Sequence, residues 1–381
     1  MVKKAYKYRF YPTDEQVELL AQTFGCVRFV YNRILSDRTQ AYYDSKEKIG
    51  YTGANAMLTA LKKNPEFHWL NDVSCVPLQQ CLRHQQTAFK NFFEGRAKYP
   101  TFKKKSTRQS AEFTKSAFKY RDGSIYIAKS NHPLDIRWSR KLPSHPSTIT
   151  ISKDSADRYF VSCLCEFEPE KLTVTPNTVG IDLGIKDLFV TDKGEKVGNP
   201  RHTKRYERKL AKAQRELSKK KLGSSNRTKA KKKVARIHAK ISDCRMDNLH
   251  KLSRRLVNEN QVICAESLKV KNMIRNPKLA KHIADASWGE FTRQLRYKSE
   301  WAGRSFVQID QFFPSSKRCS SCGHIVDKLP LDIRSWVCPN CDTELDRDHN
   351  AAVNIKAAGQ AVLAFGENVS GIGLVPVSSS R

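Results

Sequence analysis

From Ala5 to Tyr11 the side chains alternate, with Tyr6, Tyr8 and Phe10 on one side and Lys7 and Arg9 on the other. That period of two predicts a half-buried strand, ended by Pro12. Thr13 and Gln16 have the spacing of a capping box, and beyond them Leu19, Leu20, Phe24, Val27, Val30, Tyr31, Ile34 and Leu35 recur at helical spacing. Pro77 opens a further helix in which Leu78, Leu82, Phe89, Phe92 and Phe93 form the apolar face, with Gln79, Gln80, Arg83 and Lys90 on its polar sides. Residues 13–95 therefore read as a helical lobe.

After Tyr99-Pro100 basic residues interleave with aromatics: Phe102, Lys103, Lys104, Lys105, Arg108, Phe113, Lys115, Phe118, Lys119 and Tyr120. Such a texture suits a clamp on a nucleic-acid backbone with rings for base stacking. Arg121-Asp122-Gly123-Ser124 is a hairpin turn, and Ile125–Ile127, Leu134–Trp138, Thr148–Ser152 and Tyr159–Phe167 follow as strands. Residues 1–12 and 96–170 are expected to form a small β-barrel with the helical lobe inserted between its strands. Residues 171–177 are the linker that follows.

A second pattern begins at Thr178, where an apolar strand carries Asp182 and is paired by Leu188–Thr191. Tyr206, Leu210, Ala213 and Leu217, then Val234, Ile237, Ile241 and Cys244 on either side of Gly223-Ser224-Ser225-Asn226, predict a helical hairpin over 204–258 with a narrow apolar seam and a basic exterior. Gln261–Glu266 is another apolar strand finishing on a carboxylate, Trp288, Phe291, Leu295 and Tyr297 mark a helix, and Ser305–Ile309 is a last strand. Strands and helices in this order predict an α/β core with a mixed sheet over 178–313.

Two paired cysteine motifs come next. Cys319 and Cys322, then Cys338 and Cys341, have the spacing of a four-thiolate zinc ribbon over 314–343, and a saturated sulfur site is structural. His324 and His349 are then surplus to the metal and are expected at the surface or facing nucleic acid. The segment 344–365 runs from an acidic turn into an amphipathic helix that closes the core, and 366–381 reads as a flexible tail.

Composition narrows the function. Of 381 residues, 69 are Lys or Arg and 38 are Asp or Glu, a formal charge of +31 at pH 7 that points to a polyanionic partner. No run of about eighteen apolar residues occurs, so no membrane span is expected. The start Met1-Val2-Lys3-Lys4 lacks the apolar core of a signal peptide, and the cysteines outside the paired motifs sit in apolar segments as reduced thiols do. A cytoplasmic protein that handles nucleic acid is the expected class. Asp182 and Glu266, each in an apolar strand, need positive partners. With Asp348 at a helix start they make a hard-oxygen set suited to Mg²⁺ or Mn²⁺, two ions of which can drive phosphodiester hydrolysis. Asp346 competes with Asp348 for the third place, and spacing does not decide between them.

Gly180-Ile181-Asp182-Leu183-Gly184, Cys264-Ala265-Glu266-Ser267-Leu268, Pro314-Ser315-Ser316-Lys317 with the cysteine pairs, and Asp346–Ile355 together resemble the motifs of TnpB, the transposon-encoded relatives of type V CRISPR effector nucleases. The resemblance runs over nearly the whole chain. It implies a multidomain α/β protein with an RNase H-like (RuvC) core, an inserted zinc ribbon that binds target nucleic acid, and an N-terminal β-barrel wedge interrupted by a helical recognition lobe. It also implies an RNA-guided DNA endonuclease with Asp182, Glu266 and Asp348 as catalytic metal ligands, Asp348 being the family's choice over Asp346. The implied partners are a guide RNA from the transposon end and double-stranded target DNA beside a short transposon-adjacent motif. A separate transposase encoded nearby and a bacterial or archaeal, nucleoid-associated location are further implications. The helix bearing Gln79, Gln80 and Arg83 suits a reader of that motif, since Gln and Arg make paired contacts to base edges.

Overall fold

The computed structural model describes residues 1–330 and 332–365, so the predicted tail lies outside the described residues. The chain divides into two compact units, Met1–Glu168 with Lys231–Arg236, and Pro169–Ala230 with Ile237 onward.

The first unit begins with β1 (Val2–Tyr11), in which Tyr6, Tyr8 and Phe10 are buried as the alternation requires. Thr13 caps α1 (Asp14–Ser45) in a full capping box with Gln16, and Gln16 Nε2 also donates to the His132 carbonyl at 3.0 Å. Then come α2 (Tyr51–Lys63), a 3-10 turn (Pro65–Asn71) and α3 (Cys75–Phe93), which Ser74 caps, so Pro77 lies inside the first turn. The strands β2 (Gln109–Thr114), β3 (Phe118–Arg121), β4 (Ser124–Ile127), β5 (Asp135–Arg137), β6 (Thr148–Lys153) and β7 (Tyr159–Phe167) complete the unit. Their antiparallel order is β2-β6-β7-β1-β5, with β3 and β4 paired only to each other. The expected barrel thus takes the form of an open five-stranded sheet beside a hairpin, with no pairing from β5 back to β2 among the described residues. A β5 of only three residues offers little edge for closure. Sheet and helices share one apolar core, running from Tyr8 and Phe10 through Leu20, Ile34 and Leu78 to Ile149 and Val161.

The second unit is built on β8 (Thr178–Leu183), β9 (Asp187–Thr191) and β10 (Lys196–Gly198), a helical hairpin of α4 (His202–Ser218) and α5 (Ser225–Glu259), and β11 (Val262–Glu266). It continues with α6 (Val270–Met273), α7 (Ala280–Ala286), α8 (Trp288–Ala302), β12 (Ser305–Ile309), the ribbon strands β13 (Ser335–Val337) and β14 (Glu344–Asp346), and α9 (Arg347–Phe365). The mixed sheet has the order β10-β9-β8-β11-β12, with β8, β11 and β12 parallel and β9 antiparallel to its neighbours. Pairing with β13 assigns β14 to the ribbon, which therefore reaches Asp346 and passes straight into α9.

Alternation divides the sheet's two faces. Val179, Ile181, Leu183, Ile263 and Ala265 pack with Leu256 and Val257 of α5 and Trp288, Phe291 and Leu295 of α8. On the other face Cys264, Val307 and Ile309 pack with Ile355 and Ala358 of α9. Helix and sheet meet there at glycine: a Cβ on Gly180 would lie 2.2 Å from the Ala352 carbonyl oxygen, and one on Gly359 would lie 2.3 Å from Cys264 Sγ. Lys356 of α9 adds an ion pair to Asp192 at 2.7 Å, and Asp192 accepts the Gly180 N–H at 3.0 Å. Gly180→Ala should therefore force α9 off β8 and cost about 1–3 kcal/mol of stability. Thermal denaturation checks this, and an unchanged melting temperature would show that the close approach is not required.

Candidate active site and metal centre

Register and alternation bring the acids together. Ala265 of β11 pairs with Ile181 of β8, so the next step sets Glu266 alongside Asp182, and both side chains take the α9 face. Asp348 sits in the first turn of α9 on that same face. Each of the three is half-buried. Burial, then the charges of Glu266 and Asp348, push the Asp182 carboxyl well above the usual carboxylate range, with Arg347 and Arg334 opposing them only in part. Burial also raises Glu266, against a hydrogen bond donated by the Ser315 hydroxyl. Arg334 of the ribbon reaches both Asp348 carboxylate oxygens at 3.3 Å. A buried Asp182 that feels two further acid charges is the electrostatic setting a divalent cation would relieve, although the oxygens of the three acids do not all fall within 4.8 Å of one another.

Asp346 is engaged elsewhere. Lys196 contacts its carboxylate at 2.6 Å and the His349 N–H donates to it at 3.0 Å. Burial raises its pKa, but those two partners outweigh the burial and hold it below the ordinary value. It serves as a salt-bridged cap at the start of α9. His349 departs from the surface position expected for it. It is half-buried, its Nε2 3.0 Å from the Asp192 carbonyl oxygen, because the first turn of α9 packs against the turn after β9. His324 is exposed.

The ribbon's sulfurs converge. Cys319 and Cys341 Sγ lie 3.7 Å apart and Cys322 and Cys338 Sγ 3.6 Å, close to the edge of about 3.8 Å expected for a tetrahedron with zinc–sulfur bonds of about 2.3 Å. All four sulfurs fall within 4.8 Å of one another, the one such convergence of metal-ligating groups among the described residues. Each knuckle turns at the residue after its second cysteine, Gly323 at φ 81° and Asp342 at φ 54°. Backbone and Asn340 donors lower the Cys322 thiol to about 6, while burial pushes Cys338 up to about 11. The donor set fits a structural metal such as zinc.

The other predicted contact residues lie in the first unit. Gln79 and Gln80 are half-buried on α3, and the exposed Arg83 places its guanidinium 4.5 Å from the Tyr51 ring centre. Lys103 is half-buried, its ammonium 4.5 Å from the Tyr31 ring, with its backbone N–H and carbonyl both held by Asn32 at 2.8 and 3.0 Å. Lys104 and Lys105 are exposed. Lys103 and Lys104 line a pocket of about 130 Å³ with Arg28 and Arg108, over a floor of Phe24 and Val27. Sequence reasoning gave no individual role to Ser315, Asn350 or Asn354, which lie inside the motifs quoted above, and did not single out Arg334. Two asparagines four residues apart on one side of α9 were the available signal.

Three family descriptions match the chain: "Helix-turn-helix domain" at residues 1–47, "Probable transposase" at 162–277 and "Cas12f1-like, TNB domain" at 288–355. The first label does not describe the local geometry, which is a strand followed by one uninterrupted helix. A Streptomyces pristinaespiralis protein named "Putative RNA-guided DNA endonuclease" is 53% identical over 371 residues, 97% of this chain and 92% of its own length. The Escherichia coli K12 protein "Putative RNA-guided DNA endonuclease InsQ" is 30% identical, over 96% and 94% of the two chains. A cryo-EM structure of a Cas12f1–sgRNA–target DNA complex superposes with a TM-score of 0.56 at 13% identity, covering 93% of this chain and 98% of that one. Fold and cysteine cluster define a multidomain α/β protein of the Cas12 and TnpB type. The chain belongs to the TnpB family.

The raised Asp182 pKa gives a test of the acidic set. A carboxyl whose folded pKa lies above its unfolded value contributes stability that is present below the unfolded pKa and lost as pH rises through the folded one. Asp182→Asn should therefore melt higher than the parent at neutral pH without added divalent ion, lose that advantage in acid, and gain less from added Mg²⁺. Melting curves across pH and Mg²⁺ check this; a variant less stable at neutral pH would contradict a repulsive, cation-seeking cluster.

Proposed function

We propose that this protein is an RNA-guided DNA endonuclease of transposon origin, with the second unit as its RNase H-like (RuvC) core. The observation that carries the reading is the buried Asp182 carboxyl, which the charges of Glu266 and Asp348 push further up. The names of the relatives over nearly the full chain lead to the same activity.

Within this reading, Asp182, Glu266 and Asp348 hold two Mg²⁺ or Mn²⁺ ions. Such ions, when bound, supply charge stabilisation to the attacking and leaving oxygens of a phosphodiester, giving 5′-phosphate and 3′-hydroxyl ends. Ser315 holds the Glu266 carboxylate and Arg334 neutralises Asp348. Cys319, Cys322, Cys338 and Cys341 bind one structural zinc.

The remaining surface holds nucleic acid. A guide RNA from the transposon end pairs with the target strand and reads its sequence, so the protein needs backbone contacts in bulk and few base-reading groups. A formal charge of +31 suits that division. Lys103, Lys104 and Lys105 contact phosphates, and Gln79, Gln80 and Arg83 read the short transposon-adjacent motif in double-stranded DNA. A separate transposase encoded nearby and a nucleoid-associated, cytoplasmic setting complete the proposal.

The test is a reconstituted complex. Protein with its co-purified RNA should cut DNA matching that RNA only in the presence of a divalent ion. Asp182→Asn should slow cutting by roughly a hundredfold or more while guided binding stays within a few-fold. Guided binding without cleavage by the parent protein would point instead to an RNA-guided regulator.

A further inference from the structure

The three acids are tethered differently. Asp182 lies within β8 and Asp348 within α9, but Glu266 is the last residue of β11, and its carboxylate is held by the hydroxyl of Ser315. Ser315 is 4% exposed and belongs to an irregular segment between β12 and the first zinc knuckle.

What fixes that segment is α9. Asn354 Nδ2 donates to the carbonyls of Ser315 at 2.9 Å and Arg318 at 2.6 Å. Asn350 Nδ2 donates to the Arg318 carbonyl at 2.8 Å, and its Oδ1 accepts the Ser320 N–H at 2.8 Å. The two asparagines are 1% and 5% exposed and stand one helical turn apart, so they present a single polar strip to the loop. Buried carbonyls without such donors would be costly, so the strip decides where the segment sits. Cys319 lies inside the clamped stretch, between Arg318 and Ser320.

We propose that Asn350 and Asn354 lock residues 315–320 to α9 so that Ser315 acts as a positioning residue, aiming the Glu266 carboxylate for divalent-ion binding and linking the zinc ribbon to the acidic site. The inference rests on the nuclease reading of the acids. One hydroxyl on Oε1 leaves the second oxygen free for an ion and removes rotational freedom that ion binding would otherwise have to freeze. The segment's far end enters the cysteine cluster, so an ordered ribbon and an ordered Glu266 depend on the same four residues, Ser315, Cys319, Asn350 and Asn354.

The experiment compares the RNA-bound parent with Ser315→Ala, Ser315→Thr and Asn354→Ala. Two quantities are followed: cleavage rate against Mg²⁺ concentration, and the rise in melting temperature on adding Mg²⁺ without DNA. Ser315→Ala should raise the half-saturating Mg²⁺ by roughly tenfold and shrink the thermal response, with zinc content and guided binding kept and the rate largely recovered at high Mg²⁺. Ser315→Thr, which retains a hydroxyl, should restore the parent's behaviour, and Asn354→Ala should shift Mg²⁺ dependence in the same direction as Ser315→Ala. Parent-like Mg²⁺ dependence in Ser315→Ala or Asn354→Ala overturns the clamp. A parent that responds thermally to Mg²⁺ but never cuts guided DNA overturns the nuclease reading while the thermal comparison still judges the clamp.

Discussion

The close seating of α9 on the sheet is the constraint on which the site depends. Glycine at 180 and at 359 lets helix backbone approach strand backbone where any side chain would collide with Ala352 or Cys264. Asp348 is carried on the first turn of that helix, so its approach to Asp182 and Glu266 is set by the depth to which the helix sinks. The Lys356–Asp192 pair and the His349 contact to the Asp192 carbonyl pin the same helix from the β9 side.

The same helix also governs the ribbon. Its predecessor β14 pairs with β13, and its asparagines grip the irregular segment entering the first knuckle, so the cysteine cluster is anchored at both ends. The soft thiolates are thereby kept as a set of four apart from the hard carboxylates of Asp182, Glu266 and Asp348. In this account one metal orders a scaffold and the other acts on phosphate.

Much of this was legible in the chain because it is written locally. The strand Tyr159–Phe167, the Thr13–Gln16 capping box and the cysteine spacing each carry their own pattern, and the structure has all three. Asp182 and Glu266 stood out because a carboxylate in an apolar strand is expensive. Non-local features were hidden. The parallel register that sets Glu266 beside Asp182, the openness of the first unit's sheet and the core shared by its helices and strands all depend on pairings between distant segments. Nothing local reveals which backbone groups Asn350 and Asn354 meet, or which carboxylate Arg334 meets.

The central claim is the division of metals between two donor sets. Anomalous diffraction from crystals of the RNA-bound protein grown with Mn²⁺ tests it most directly, with data collected on either side of the zinc and manganese edges. The account predicts a zinc peak enclosed by Cys319, Cys322, Cys338 and Cys341 and manganese bounded by Asp182, Glu266 and Asp348. Manganese absent from the acids, or bound at Asp346 in their place, would contradict it.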